Sequence, residues 1–139
     1  MKELAYIDSN VFLYPVLYSN EADLRVKKAG EILKNIANGE LLAFTSVLTW
    51  DEVVWVVRKT MGTSEAQSQG QKLLGFLNLQ FIKIDENILS QAQGLINKYT
   101  LKPRDAIHIA SAVNQKIALI ISDDQDFDGI KEIKRTPLT

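Results

Sequence analysis

The chain has 139 residues, 46% hydrophobic and 24% charged, with three prolines and seven glycines, which suits one domain spanning residues 1–139 and excludes disordered and fibrous classes. It has no cysteine, so disulfide frameworks, cysteine zinc sites and thiol catalysis are excluded together. Sixteen Lys+Arg against 17 Asp+Glu give a formal net charge of -1, so any nucleic-acid binding must rest on local basic clusters rather than a general field.

The opening "MKELAYIDSNVFLYPVLY" is apolar, but Asp8 and Asn10 interrupt it and Pro15 breaks it. It predicts neither a signal peptide nor a membrane span, and a cytoplasmic location fits. Leu4 to Asp8 predicts a short strand, and Ser9 to Tyr14 a helical turn that ends before Pro15. Glu21 to Asn38 predicts a helix, with Ala22, Val26, Ala29, Leu33 and Ile36 at three- and four-residue spacing and Asn38-Gly39 closing it. Leu41 to Thr45 reads as a strand, Ser46 to Met61 as a helix stopped by Gly62, and Ser64 to Asn78 as a helix carrying Leu73, Leu74 and Leu77.

Leu79 to Ile84 reads as a strand, after which Asp85 caps a helix running to Tyr99. Pro103 suits the first turn of a helix over Lys102 to Gln115. Ile117 to Ser122 is apolar on both faces, as buried parallel strands are, and "IKEIKR" suits a final edge strand. Strands alternating with helices, with no hairpin signal of the Asn-Gly type, predict an α/β fold with a mainly parallel sheet. Ligands of such sheets bind beyond the carboxyl ends of the strands. That directs attention to Asp8, after the first strand, and to "SDDQDFDG", after Ser122.

Each carboxylate has an ordinary reading by itself. Asp8 suits an N-cap for the turn that follows it. Asp105, in "LKPRDAIHIASAV", suits the first turn of a helix, where the macrodipole favours an acid by less than about 1 kcal/mol. Asp124 and Asp126 suit a turn or a cap. Glu52 is the exception. Val47, Trp50, Val54, Val57 and Met61 form the expected buried stripe of its helix, with Glu52 nearly opposite; yet Leu48, Trp55 and Val56 make that side apolar too. A helix apolar nearly all round is covered on more than one face, so one of Trp50 and Trp55 is a candidate to meet a partner. Two carboxylates about 5 Å apart repel by roughly 3 kcal/mol at an effective dielectric near 20. Convergence of these acids would therefore call for a cation, and oxygen ligands favour Mg²⁺ or Mn²⁺. Spacing alone leaves open whether they converge.

At these residues the chain resembles the PIN-domain nucleases, particularly the VapC-like toxin ribonucleases of prokaryotic toxin–antitoxin pairs. "YIDSNVFLY" resembles the family's opening strand with its Asp-Thr/Ser-Asn motif, and "TSVLTWDEVVWVV" the helix bearing the second acid, in a register that selects Glu52 over Asp51. "LKPRDAIHIASA" is similar to the Pro-x-Asp-Ala-x-His-x-Ala-x-Ala pattern, and "IISDDQDFDGI" to the strand followed by Thr/Ser-x-Asp-x-Asp-Phe. Serine replaces the commoner threonine at Ser9 and Ser122, and the pair Asp123-Asp124 leaves the fourth acid's register open.

The resemblance implies a three-layer α/β/α sandwich and Mg²⁺- or Mn²⁺-dependent cleavage of RNA. Asp8, Glu52, Asp105 and Asp124 would form the catalytic, metal-binding set. Asn10, Ser122 and Asp126 would support it, and Phe127 would anchor the turn. Lys102 and Arg104 are the candidate phosphate contacts, and no aromatic stacking platform is evident. An antitoxin and a homodimer are the implied partners. His108 is the only histidine, which disfavours zinc; it reads as a packed, hydrogen-bonded residue rather than a general base. Asp123 and Asp128 read as solvated. The competing readings are an RNA-processing nuclease that is not a toxin, and a silent binding module that keeps the fold. A receiver-type phosphoacceptor domain would want a lysine where Ser122 and Asp123 stand.

Overall fold

The first strand sets the middle of the molecule. Ala5, Tyr6 and Ile7 of β1 (Leu4–Ile7) are fully buried, and a strand apolar on both faces needs cover on both. The computed structural model describes residues 2–19 and 22–139. In it β2 (Leu42–Ser46), β3 (Leu79–Ile82), β4 (Leu119–Ile121) and β5 (Lys134–Thr136) join β1 in one sheet ordered β3-β2-β1-β4-β5. All four pairings are parallel; Tyr6 lies beside Phe44 on one side and Ile120 on the other. Every strand therefore points its carboxyl end to the same edge.

Among the described residues, six helices cover the sheet: α1 (Ser9–Leu17), α2 (Leu24–Ala37), α3 (Val47–Met61), α4 (Thr63–Leu74), α5 (Glu86–Lys98) and α6 (Pro103–Asn114). The side-chain alternation of β1 divides the core in two. Ala5 and Ile7 pack with Val11 and Phe12 of α1, Ile32 of α2, Val53 of α3 and Leu73 of α4. Tyr6 faces the other way, among Ile88 and Leu95 of α5, Ile109 of α6, Ile120 and Phe127. The result is a three-layer α/β/α sandwich. None of the described helices is long and apolar enough to cross a membrane.

Several boundaries differ from the sequence expectation, each for a physical reason. Pro15 lies inside α1, which runs on to Leu17. A proline there forgoes one backbone hydrogen bond, but Val11, Phe12 and Leu13 are buried on that helix and hold it in place. α2 starts at Leu24, where the Asp23 carboxylate accepts from Arg25 N–H; the expected start at Glu21 lies outside the described residues. α4 ends at Leu74, so Leu74 and Leu77 are exposed and only Leu73 of the expected trio is buried. The edge strand sits at Lys134–Thr136, towards the end of the expected segment and just past it.

The buried stripe of α3 is Thr49, Val53 and Val57. Val47, Trp50 and Met61 of the expected stripe are 45%, 39% and 47% exposed. The cause is Thr49: its hydroxyl pairs with Thr45 Oγ1 at 2.7 Å, so a polar residue is satisfied inside the core. Glu52, three residues after Thr49, lies beside that true stripe rather than opposite it. Trp50 flanks a groove of about 710 Å³ between α3 and α4. There Gly70 lets the helices close, since a Cβ would sit 3.1 Å from Val54 Cγ2 and 3.2 Å from Trp50 Nε1.

Candidate metal centre

The edge where the strands end gathers the acids. Asp8 follows β1 directly and caps α1, its Oδ1 accepting from Ser9 N–H at 2.8 Å. Its Oδ2 accepts from the Ser122 hydroxyl at 2.5 Å and from Asn10 Nδ2 at 3.3 Å. Asn10 also donates to Ser122 Oγ and accepts from Asp123 N–H. Ser122, fully buried, accepts from Asp124 N–H at 3.0 Å, tying the loop after β4 to the end of β1. Asp124 then caps a single 3₁₀ turn (Gln125–Phe127), its Oδ1 accepting from Asp126 N–H at 2.9 Å. Phe127 holds that turn down, with 1% of its surface exposed.

Among the described residues, two groups of ligating atoms result. One oxygen from each of Asp105, Asp124 and Asp126 lies within 4.8 Å of the others; so do single atoms from Asp8, Glu52 and His108. The four acids named from the sequence are thus split between the two groups, and Ser122 links Asp8 to Asp124. His108 is the packed, hydrogen-bonded residue expected, and its partner is one of the acids: Nε2 is 2.7 Å from Glu52 Oε1 and 3.8 Å from Asp8 Oδ1. Tyr6 and Ser46, which sequence reasoning did not select, stand behind it. Nothing local marks this role, because Tyr6 lies within the predicted first strand and Ser46 opens the predicted helix.

The electrostatics are those of crowded carboxylates. Burial pushes the pKa of Asp8 up; His108, Ser122 and the Ser9 N–H oppose the rise, and Glu52 adds to it. Burial and then the charges of Asp124 and Asp8 push Asp105 up to about 6, with His108 pulling the other way. Asp105 sits in the first turn of α6, after Pro103, and its Oδ2 is buried with no hydrogen-bond partner. A buried acceptor left unpaired costs about 1–3 kcal/mol. A divalent cation would satisfy that oxygen and offset the repulsion, and carboxylate oxygens suit Mg²⁺ or Mn²⁺. The residues present fit such an ion.

The remaining candidates take varied places. Lys102 is well exposed, with Nζ 3.8 Å from Asp126 Oδ2. Arg104 is exposed one residue before Asp105. Asp123 is not simply solvated: it accepts from the Tyr14 hydroxyl at 2.7 Å and from Arg25 at 3.4 Å. Asp128 is exposed but ion-paired with Arg135 at 2.9 Å.

The family model of the PIN domain matches residues 5–133. The chain belongs to the PIN-domain family. Among solved structures, this PIN domain is similar to a chain of VapBC2 from Rickettsia felis bound to a DNA fragment from their promoter, with 14% identity, TM-score 0.73 and coverage of 96% of this chain and 98% of that one. It is also similar to Mycobacterium tuberculosis VapC20, described as a Sarcin-Ricin loop cleaving toxin, with 15% identity, TM-score 0.71 and coverage of 93% and 98%. A toxin-antitoxin complex from Klebsiella pneumoniae matches with 21% identity, TM-score 0.67 and coverage of 94% and 95%. At these identities the likeness is one of fold. A comparison with curated proteins finds no match.

Proposed function

We propose that this PIN domain is a cytoplasmic Mg²⁺- or Mn²⁺-dependent endoribonuclease, the toxin of a toxin–antitoxin pair. The observation that carries the reading is Asp105 Oδ2, a buried acceptor without a partner in a group of acids at the sheet edge. Asp8, Asp105 and Asp124 would hold the ion, with Glu52 completing the set. Bound there, a divalent ion makes water a better nucleophile and offsets the charge that builds on a phosphodiester.

The chain's own groups do the rest. Glu52 Oε1 is held by His108, so Oε2 is the atom to take the proton of the attacking water. Asn10 and Ser122 fix Asp8 Oδ2, and Asp126 takes its place from Asp124. Lys102 and Arg104, exposed beside Asp105, would meet RNA phosphates.

The similar structures support a protein partner, since those from Klebsiella pneumoniae and Rickettsia felis are toxin–antitoxin assemblies. Trp50, Trp55 and Met61 of α3 and Leu74 of α4 are exposed apolar side chains that an antitoxin or a second copy would cover. Asp8→Asn and Asp105→Asn should each abolish Mn²⁺-dependent cleavage of RNA while leaving the circular dichroism spectrum unchanged. Wild-type cleavage rates in either variant would overturn the assignment.

A further inference from the structure

The buried polar chain behind Glu52 carries an inference that rests on the function proposed above. Glu52 Oε1 lies 2.7 Å from His108 Nε2. His108 Nδ1 lies 2.5 Å from the Tyr6 hydroxyl, and Tyr6 in turn donates to Ser46 Oγ at 2.8 Å. His108 is 1% exposed, and Tyr6 and Ser46 are fully buried. The chain joins β1, the start of α3 and α6, and the Tyr6 and His108 rings also meet edge to face at 5.5 Å.

Packing alone does not account for these residues. Position 108 is surrounded on α6 by buried Ala106, Ile109, Ala110 and Ala112, where an aliphatic side chain would need no hydrogen-bond partner. Ser46 is the N-cap of α3 yet makes no side-chain cap bond, whereas Asp8, Asp23 and Asp85 cap their helices with their carboxylates. Forgoing a cap costs about 1 kcal/mol. The hydroxyl is turned to Tyr6 instead.

We propose that His108 is a positioning residue for Glu52, holding its carboxylate at the ion site through Nε2, with Tyr6 and Ser46 fixing the ring from behind. Both ring nitrogens are committed, so ligation by Nε2 would require breaking the bond to Glu52. A glutamate on a helix has several free torsions, and pinning one oxygen restricts them. Residues that orient a ligand in this way commonly matter 10–100-fold to metal affinity or activity.

The test measures Mn²⁺ binding by electron paramagnetic resonance in the wild type and in folded His108→Leu, His108→Gln and Tyr6→Phe, alongside RNA cleavage. His108→Leu should weaken Mn²⁺ binding about 10–100-fold. His108→Gln, whose amide nitrogen reaches near the place of Nε2, should recover much of the loss. Tyr6→Phe, which touches no acid, should weaken binding by a smaller factor and carries the test if His108→Leu does not fold. Electron spin echo spectra of the Mn²⁺-loaded wild type should show no imidazole nitrogen coupling. Unchanged Mn²⁺ affinity in folded His108→Leu, or in Tyr6→Phe where His108→Leu does not fold, would make His108 a packing residue and overturn the proposal. A nitrogen coupling would make it a ligand and overturn it equally. A wild type that binds no Mn²⁺ would instead overturn the metal-dependent function, and this proposal with it.

Discussion

At the scale of single residues, three ionisable groups, Asp8 and His108 buried and Asp105 half-buried, act on stability in the same direction. Asp105 is raised to about 6 and Asp8 above its ordinary value, chiefly by burial. Burial alone would lower His108, but Tyr6, Glu52 and Asp8 outweigh it and hold the imidazole well above its usual value. The folded chain therefore binds these protons more tightly than the unfolded chain. Stability falls as pH rises, first from the ordinary aspartate range through about 6 for Asp105, then from about 6.5 upwards for His108. Asp23, Asp128 and Glu132 are lowered and act oppositely, but only in the ordinary carboxylate range and below. Metal-free protein, kept in a chelator, should thus gain stability as pH falls from 8 to 5, read as a rising urea midpoint. Asp105→Asn should flatten part of that slope and stabilise the metal-free protein at pH 7.5 by about 1–2 kcal/mol, from a rise of about 2 pKa units discounted for partial exposure. A slope of opposite sign would show that the acids are not crowded. Asp8, Asp105 and Asp124 stand out in the sequence because each follows a strand or opens a helix, whereas Glu52, inside α3, is selected by the register of the family resemblance. The bond from His108 to Glu52 is not, since 56 residues separate its partners and no periodicity links them.

At the scale of elements, local pattern and tertiary context parted where a residue carried two tendencies. Pro15 reads as a helix end, yet the burial of its neighbours carries α1 through it. Thr49 lies outside the stripe expected for α3, yet a paired hydroxyl puts it in the core and shifts the buried face of that helix. Strand order was not legible either: parallel neighbours are set by which faces need cover, which only the assembled layers show. Where a residue has one tendency, sequence and structure agree. Gly62 separates α3 from α4 at φ 95° and ψ 175°, a region open essentially to glycine alone. No heavy atom beyond its chain neighbours lies within 4 Å of where its Cβ would be, so Gly62→Ala carries the backbone cost without a clash with the packed helices. It should destabilise the protein by about 1–3 kcal/mol, measured by urea unfolding. A change under about 0.5 kcal/mol would mean that the α3–α4 junction relaxes to another conformation.

At the scale of the whole molecule, the sheet edge is a stored liability. Parallel strands bring Asp8, Asp124 and the start of α3 to one edge, and α6 adds Asp105 and His108 there. The fold holds the acids ready at a cost in stability, and an ion bound only to the folded state should return it. Mn²⁺ at 100 times its dissociation constant would add about 2.7 kcal/mol. At about 3 °C per kcal/mol for a chain of this length, the melting temperature should rise by roughly 8 °C. Asp8→Asn keeps one oxygen that can still accept from Ser9 N–H, so the cap of α1 should stay formed; its amide nitrogen replaces the acceptor of the Ser122 hydroxyl, and one buried charge is gone. Its metal-free melting temperature should equal or exceed that of the wild type, and Mn²⁺ should shift it little. The two halves test different things. A lower metal-free melting temperature would make Asp8 a stabilising cap rather than a tolerated charge. Equal Mn²⁺ shifts in variant and wild type would place the ion away from the end of β1, and so away from every group that Ser122 and Asn10 hold in register.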